Sequence, residues 1–265
     1  MSNFDLDTKI WRYLSFDKFI DLVDTSQLYF STPDKFDDTW ECYPPSSFLN
    51  VENWKEKLKS NEYMKEVDFD LLVENSLAKF EGSYYEEDRY AFSCWSKAKK
   101  DHAALWNLFT DKKNAVAIST TPRALIESVR EENYIIENLM IGCAEYLDFE
   151  DEMFPELSKP LYRFADKGKP YEGVTLLQYL YKRNSYSYED EVRIVFNKNW
   201  EGSLTWSIER IKFDLSELIQ DVIIAPNSNE PFGKMIEKLV RTKLPNASIS
   251  NSSLKFDRKK SERAK

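Results

Sequence analysis

The chain has 265 residues, 42% hydrophobic and 15% aromatic, with only 6 glycines and 10 prolines. That composition suits one large domain with a substantial core and excludes a disordered or linker-rich chain. The net charge of −9 opposes non-specific binding to DNA or RNA backbones, because like charges repel at long range.

The opening MSNFDLDTKI is acidic where a signal peptide needs basic and apolar residues. No apolar run approaches the ~20 residues of a bilayer span, so a cytoplasmic chain without a membrane partner is expected. Cys42, Cys94 and Cys143 are odd in number and widely spaced, which fits neither a disulfide framework nor a zinc pattern. His102 is the single histidine, so a two-histidine metal site cannot be built, and no metal centre is expected. Asp101 reads as the N-cap of the helix that follows.

In chain order, Lys9–Leu14 reads as a first strand, capped by Ser15 into a helix to about Val23 with Phe16, Phe19, Ile20 and Val23 inward. Gln27–Ser31 is a second strand, stopped by Pro33. The loop Asp34–Glu41 carries Phe36 and Trp40 as anchors and Asp37, Asp38 and Glu41 near a surface or cleft. Those three acids suit a solvated loop or a divalent-cation site. Residues from about 50 to 81 show helical spacing too short for a separate core, hence an insertion in a single domain over 1–256.

Arg89–Trp95 is a third strand, Asp101–Asp111 a helix burying Leu105, Trp106 and Phe109, and Lys113–Ser119 a fourth strand. Pro122 opens a helix. Ile135–Asp148 reads as one long strand or a hairpin about Gly142. Phe149–Lys169 is irregular, and Val174–Arg183 is a helix. Strands follow at 203–207, 208–214 and 221–225, then a helix over Glu230–Thr242 and a frayed, charged tail at 257–265. Strands interleaved irregularly with helices predict α+β with a mixed, largely antiparallel, possibly split sheet and flanking helices. Neither G-x-G-x-x-G nor a P-loop occurs.

Tyr186–Phe196 is the stretch with chemistry. Read as a strand, it places Tyr188, Asp190, Val192 and Ile194 on one face and Glu189, Glu191, Arg193 and Val195 on the other. A row of two carboxylates and a guanidinium suits either a solvated sheet edge or a polar cleft.

Four stretches form a pattern: Trp11-Arg-Tyr-Leu-Ser15; Leu28-Tyr-Phe-Ser-Thr-Pro through Phe36-Asp-Asp to Trp40-Glu41; Phe92-Ser93 with Leu105-Trp106 and Phe109; and Lys182 with Tyr188-Glu-x-Glu-x-Arg193. In this order they resemble the bacterial family known as domain of unknown function 2971. Asp37, Thr39, Phe109 and Tyr186 depart from that family's usual Asn, Pro, Tyr and Trp. Some members of the family are associated with phage defence or abortive infection. More distantly, the opening strand, capped helix and short strand look like the start of ADP-ribosyltransferase folds. That resemblance implies NAD as substrate, a small-molecule nucleotide partner and a protein or nucleic-acid acceptor. It assigns Arg12, with Tyr13 beside it, Ser93 and Arg193 to the cofactor, and Glu191 and Glu189 to catalysis. A non-catalytic binding module of the same family is the alternative.

Overall fold

The computed structural model describes residues 5–38, 41, 90–97, 101–110, 113–148, 161–171, 177–198 and 209–254. The expected insertion at 50–81, the strand at 203–207, the tail at 257–265 and Trp40 lie outside them.

The opening unit has the expected order of elements, but Leu22 is buried while Phe16 and Ile20 are half-buried, and the Ser15 side chain makes no capping bond to the helix. Strand β1 (Ile10–Ser15) leads through Ser15 into helix α1 (Phe16–Thr25), which buries Phe19, Leu22 and Val23. Each fully buried side chain of this kind contributes roughly 1.5–3 kcal/mol. Ser26 ends the helix in the left-handed region, its N–H donating to Leu22 O, and β2 (Gln27–Tyr29) follows.

The remaining described strands are β3 (Tyr90–Ser96), β4 (Ala115–Thr120), β5 (Leu139–Cys143), β6 (Glu145–Leu147), β7 (Leu161–Arg163), β8 (Lys169–Tyr171), β9 (Tyr181–Arg183), β10 (Glu191–Asn197), β11 (Arg210–Lys212), β12 (Asp221–Ile224) and β13 (Ser248–Asn251). Eight of these and β1 make one sheet in the order β13-β12-β4-β1-β3-β10-β5-β7-β8. Within it only β12 and β13 run parallel, so the fold is α+β with a mixed, largely antiparallel sheet. The other described α-helices are α2 (Ala103–Phe109), α3 (Pro122–Ser128), α4 (Asn133–Glu137), α5 (Leu215–Leu218) and α6 (Glu230–Lys243).

The sheet is nearly split in the middle. β1 pairs with β4 along its whole length, but its register with β3 is reduced to Trp11 opposite Ser96. Ser31, just beyond β2, takes the edge of β3 that β1 leaves, exchanging two 2.8 Å backbone bonds with Phe92. Alternation along the strands then fixes two faces. One carries Ile10, Leu14, Trp95, Val192, Ile194 and Phe196, covered by α1 and α6 in the main core. The other carries Trp11 and Tyr13, packed on Leu105 and Trp106 of α2.

Several expectations are corrected. Tyr188 and Glu189 are not in a strand: Asn184–Glu189 is a 3₁₀ turn, and Asp190 at φ 44° breaks the chain direction before β10 begins. The left-handed region tolerates Asp better than most residues. Lys182 and Arg183 lie in β9 after a short 3₁₀ turn, not at the end of a long helix. Ile135–Asp148 is a helical turn followed by two short strands, so Gly142 makes no hairpin. Phe109 is exposed, because the seven-residue helix turns only Leu105 and Trp106 inward.

Asp101 is not the N-cap; that position is His102. Asp101 has φ 66°, and its carboxylate accepts from Trp106 Nε1 (2.7 Å), Ser252 Oγ (2.6 Å) and Ser253 Oγ (2.9 Å), tying the segment after β13 to α2.

Gly142 sits opposite Arg193 in the ladder, where a Cβ would come within 2.9 Å of Leu161 and 3.2 Å of Leu180. Both contacts are ends of flexible side chains, so the obstruction is one of packing. Gly142→Ala is expected to lower stability by about 1 kcal/mol, measured as a drop in urea midpoint at unchanged m-value.

Candidate active site

β10 opens on Glu191, and its register sets the site. Glu191 lies opposite Ser96, Arg193 opposite Cys94 and Val195 opposite Phe92. These side chains share the face away from the main core, and here that face is closed over. The 3₁₀ turn before β10 brings Glu189, β9 brings Lys182, and the loop after β2 brings Glu41.

Three carboxylates and two cations meet. Lys182 Nζ lies 2.6 Å from Glu189 Oε2, 2.9 Å from Glu191 Oε2 and 3.4 Å from Glu41 Oε1. Arg193 donates from Nε to Glu191 Oε1 at 2.9 Å, from one terminal nitrogen to Tyr179 O at 2.8 Å, and from the other to Glu41 and Glu191. Phe36 and Phe92 flank its guanidinium, each ring centre 5.9 Å away. Arg193 is fully buried and Glu191 is 4% exposed, so the row is neither a solvated edge nor an open surface. Just outside, Arg183 grips Asp38 with two bonds of 2.7 and 2.8 Å and stacks on Tyr186. Asp38 and Glu41 are thus held by cations, as structural partners of the loop.

The two carboxylates of β10 and its preceding turn are pulled in opposite directions. Burial alone would raise the Glu191 carboxyl, but the charges of Arg193 and Lys182 override it and bring it down to about 2. At Glu189 burial wins over the single cation Lys182, and the carboxyl is raised above its ordinary range. Burial also raises Glu41 despite Arg193 and Lys182. Lys182 itself is held firmly protonated: burial opposes its charge, and Glu191 and Glu41 more than restore it. Cys94, beneath Glu191, is pushed far up by burial and by that carboxylate, which keeps it a thiol.

Glu189, Glu191 and Arg193 are therefore brought together. Arg12 and Ser93 are not brought to them. They lie on the opposite face, where Arg12 Nη1 donates to Ser93 Oγ at 2.6 Å and Nη2 to Tyr29 O at 3.2 Å. Arg12, Ser93 and Glu191 consequently do not line one cleft. Tyr13 is on the face of Glu191 but turned to α2: its hydroxyl accepts from the His102 N–H at 3.0 Å, its ring meets Trp106 edge-on, and burial raises its phenol to about 12. Sequence reasoning left Lys182 without a role and read Glu41 only as part of a solvated loop or a divalent-cation site, whereas it joins Lys182 and Arg193. Both were in the quoted motifs, and a lysine closing the apolar run Leu176-Leu-Gln-Tyr-Leu-Tyr181 was the available signal.

No family model matches the chain, and no curated protein matches it. Among solved structures it is similar to DarT from Thermus sp. 2.9 in complex with ADP-ribosylated ssDNA, at 7% identity and a TM-score of 0.37, covering 94% of this chain and 96% of that one. It is likewise similar to the same protein in complex with NAD+, at 8% identity and a TM-score of 0.37, covering 94% and 97%.

Proposed function

We propose that this chain is an ADP-ribosyltransferase-like protein acting on NAD, with Glu191 and Glu189 as its working carboxylates. The observation that carries the reading is that two glutamates share one buried lysine ammonium, at 2.6 and 2.9 Å, in a closed pocket, where burial shifts the Glu189 carboxyl up and the neighbouring cations shift that of Glu191 down. Pairs of titratable groups driven apart in this way are the usual mark of divided roles in glycosidic-bond chemistry. NAD as the substrate comes from the motif resemblance.

In this scheme Glu191 is the fixed anion. It stabilises the oxocarbenium-like ribose that forms as the C1′–nitrogen bond breaks and the bond pair leaves with nicotinamide. The acceptor's nucleophilic atom then bonds to C1′, and its proton passes to Glu189, the carboxylate whose raised pKa makes it a base. Arg193 and Lys182 hold Glu191 ionised and in place. A role in phage defence or abortive infection belongs to the same proposal, on the resemblance alone.

A second reading is favoured by one observation: both oxygens of Glu191 already accept hydrogen bonds in a buried network. A binding module that uses the cluster only to hold its fold would look the same.

NAD labelled in the nicotinamide ring separates the two. Wild type is expected to release nicotinamide, Glu191→Gln to lose the release by at least ~10³-fold, and Glu189→Gln to lose transfer to an acceptor by about 10²–10⁴-fold. Absence of NAD turnover by correctly folded wild type across protein, DNA and RNA acceptors establishes the binding-module reading instead.

A further inference from the structure

Tyr146 reaches the acidic cluster from the main-chain side. The ladder between β10 and β5 ends at Val192, opposite Cys143. One residue beyond it the Ala144 N–H donates to Glu191 O at 2.9 Å, and the chain then leaves as β6. A strand residue turns its N–H and C=O to the same side, so the Glu191 N–H faces β5 where the ladder has already ended. It donates instead to the Tyr146 hydroxyl at 2.8 Å. An enclosed N–H left without an acceptor is costly, so this phenol fixes where β10 begins.

The ribbon that supplies the phenol also supplies the cation. β6 runs parallel to β9, and Tyr146 lies opposite Lys182. Glu191 is thereby held twice by one two-stranded ribbon, its N–H by Tyr146 and its carboxylate by Lys182 at 2.9 Å. Glu189, on the other side of the left-handed Asp190, is held from β3 and the residue after it. Ser96 Oγ donates to Glu189 O at 2.5 Å, the Lys97 N–H donates to Asp190 O at 2.8 Å, and Lys97 Nζ pairs with Asp190 at 3.1 Å. Two anchors, one on each side of a single kink, thus bring both carboxylates to one ammonium. Burial raises the Tyr146 phenol, so it stays neutral and its oxygen remains an acceptor across the working pH range.

We infer that Tyr146 is a positioning residue of the two-glutamate site: its hydroxyl, through the Glu191 N–H, sets the Glu191 carboxylate against Lys182 while Glu189 stays anchored from β3. The inference rests on the proposed division of roles between Glu191 and Glu189, and Tyr146 acts through Glu191 without touching substrate. Phenylalanine at this half-buried position keeps the ring and removes only the acceptor oxygen. The start of β10 then slackens, and the Glu191 carboxylate drifts from the ammonium that holds it ionised. Glu189 keeps its own anchor and is affected less.

The experiment is an NMR titration of labelled glutamate carboxyl carbons in the full chain, comparing Tyr146→Phe with wild type. The Glu191 midpoint is expected to rise by about one pH unit, and that of Glu189 to move less than half as far. Val222→Ala, which opens a cavity in the main core and lowers stability without reaching the site, should move neither. In nicotinamide release, Tyr146→Phe should lower kcat about tenfold while KM for NAD stays within about twofold, the mark of an anion misplaced in the transition state. An unmoved Glu191 midpoint in folded Tyr146→Phe, an equal shift in Val222→Ala, or a raised KM at unchanged kcat would each overturn the inference. Should wild type release no nicotinamide, the proposed function falls, and the titration alone decides whether Tyr146 sets the site.

Discussion

Arg193→Met is expected to destabilise the protein by about 3–5 kcal/mol, a large share of the roughly 5–15 kcal/mol of an ordinary domain. Methionine matches much of the side chain's volume, so the loss is electrostatic. Glu191 and Glu41 both keep their places in a closed pocket and lose the guanidinium that offsets their desolvation. Tyr179 O loses its donor as well. Lysine does not repair the site, because its single ammonium cannot span Glu191, Glu41 and Tyr179 as the planar fork does. Only a coordinated exchange of the buried acids for apolar residues together with Arg193 should restore stability, since buried ion networks are often no better than well-packed hydrophobic ones. Urea unfolding of the single and combined variants checks this.

The second large effect is a loss of stability in acid. Glu191 has a folded-state pKa of about 2 against an ordinary 4.5, so its contribution is complete above pH 4.5 and disappears as pH falls from there to about 2. A shift of that size corresponds to about 3 kcal/mol. Glu189 and Glu41 act with the opposite sign. Their raised carboxyls weigh against the fold at neutral pH, and protonating them relieves that burden. Stability should therefore hold or rise slightly as pH drops from 7 toward 5, then fall steeply below 4.5. Glu191→Gln should flatten the acid limb, and Glu189→Gln should leave it in place while reducing the gain at mild acidity to the part that Glu41 supplies.

The parts of the fold that were legible in the sequence are those whose own periodicity decides them. The β1–α1–β2 unit, the strand Asp221–Ile224 and the helix Glu230–Lys243 carry clear spacing, and Asn229 caps the last by accepting from the Phe232 N–H. β13 was missed because Ser248-Ile-Ser-Asn251 has little apolar character; it is a strand because β12 offers it a parallel edge. The error at Tyr188 and Glu189 came from extending a strand pattern through Asp190, whose left-handed backbone no alternation rule reveals.

At the site, alternation correctly put Glu191 and Arg193 on one face, yet could not say that the face is closed. That depends on Lys182 and Glu41, which arrive from β9 and from the loop after β2. Arg12 and Ser93 failed to join for the same kind of reason. Ser93 faces away from Glu191 because it lies opposite Ile194 of β10, and Arg12 does so because its neighbour Trp11 is the residue opposite Ser96.

The central claim is that Glu189 and Glu191, on one lysine, are held in opposite protonation tendencies. NMR titration of the carboxyl carbons of selectively labelled glutamates, assigned with the two Gln variants, measures this directly. The prediction is a Glu191 signal that does not move until pH approaches 2 and a Glu189 signal that titrates above 4.5. Two signals moving together near the ordinary value, or Glu189 titrating below Glu191, would contradict it.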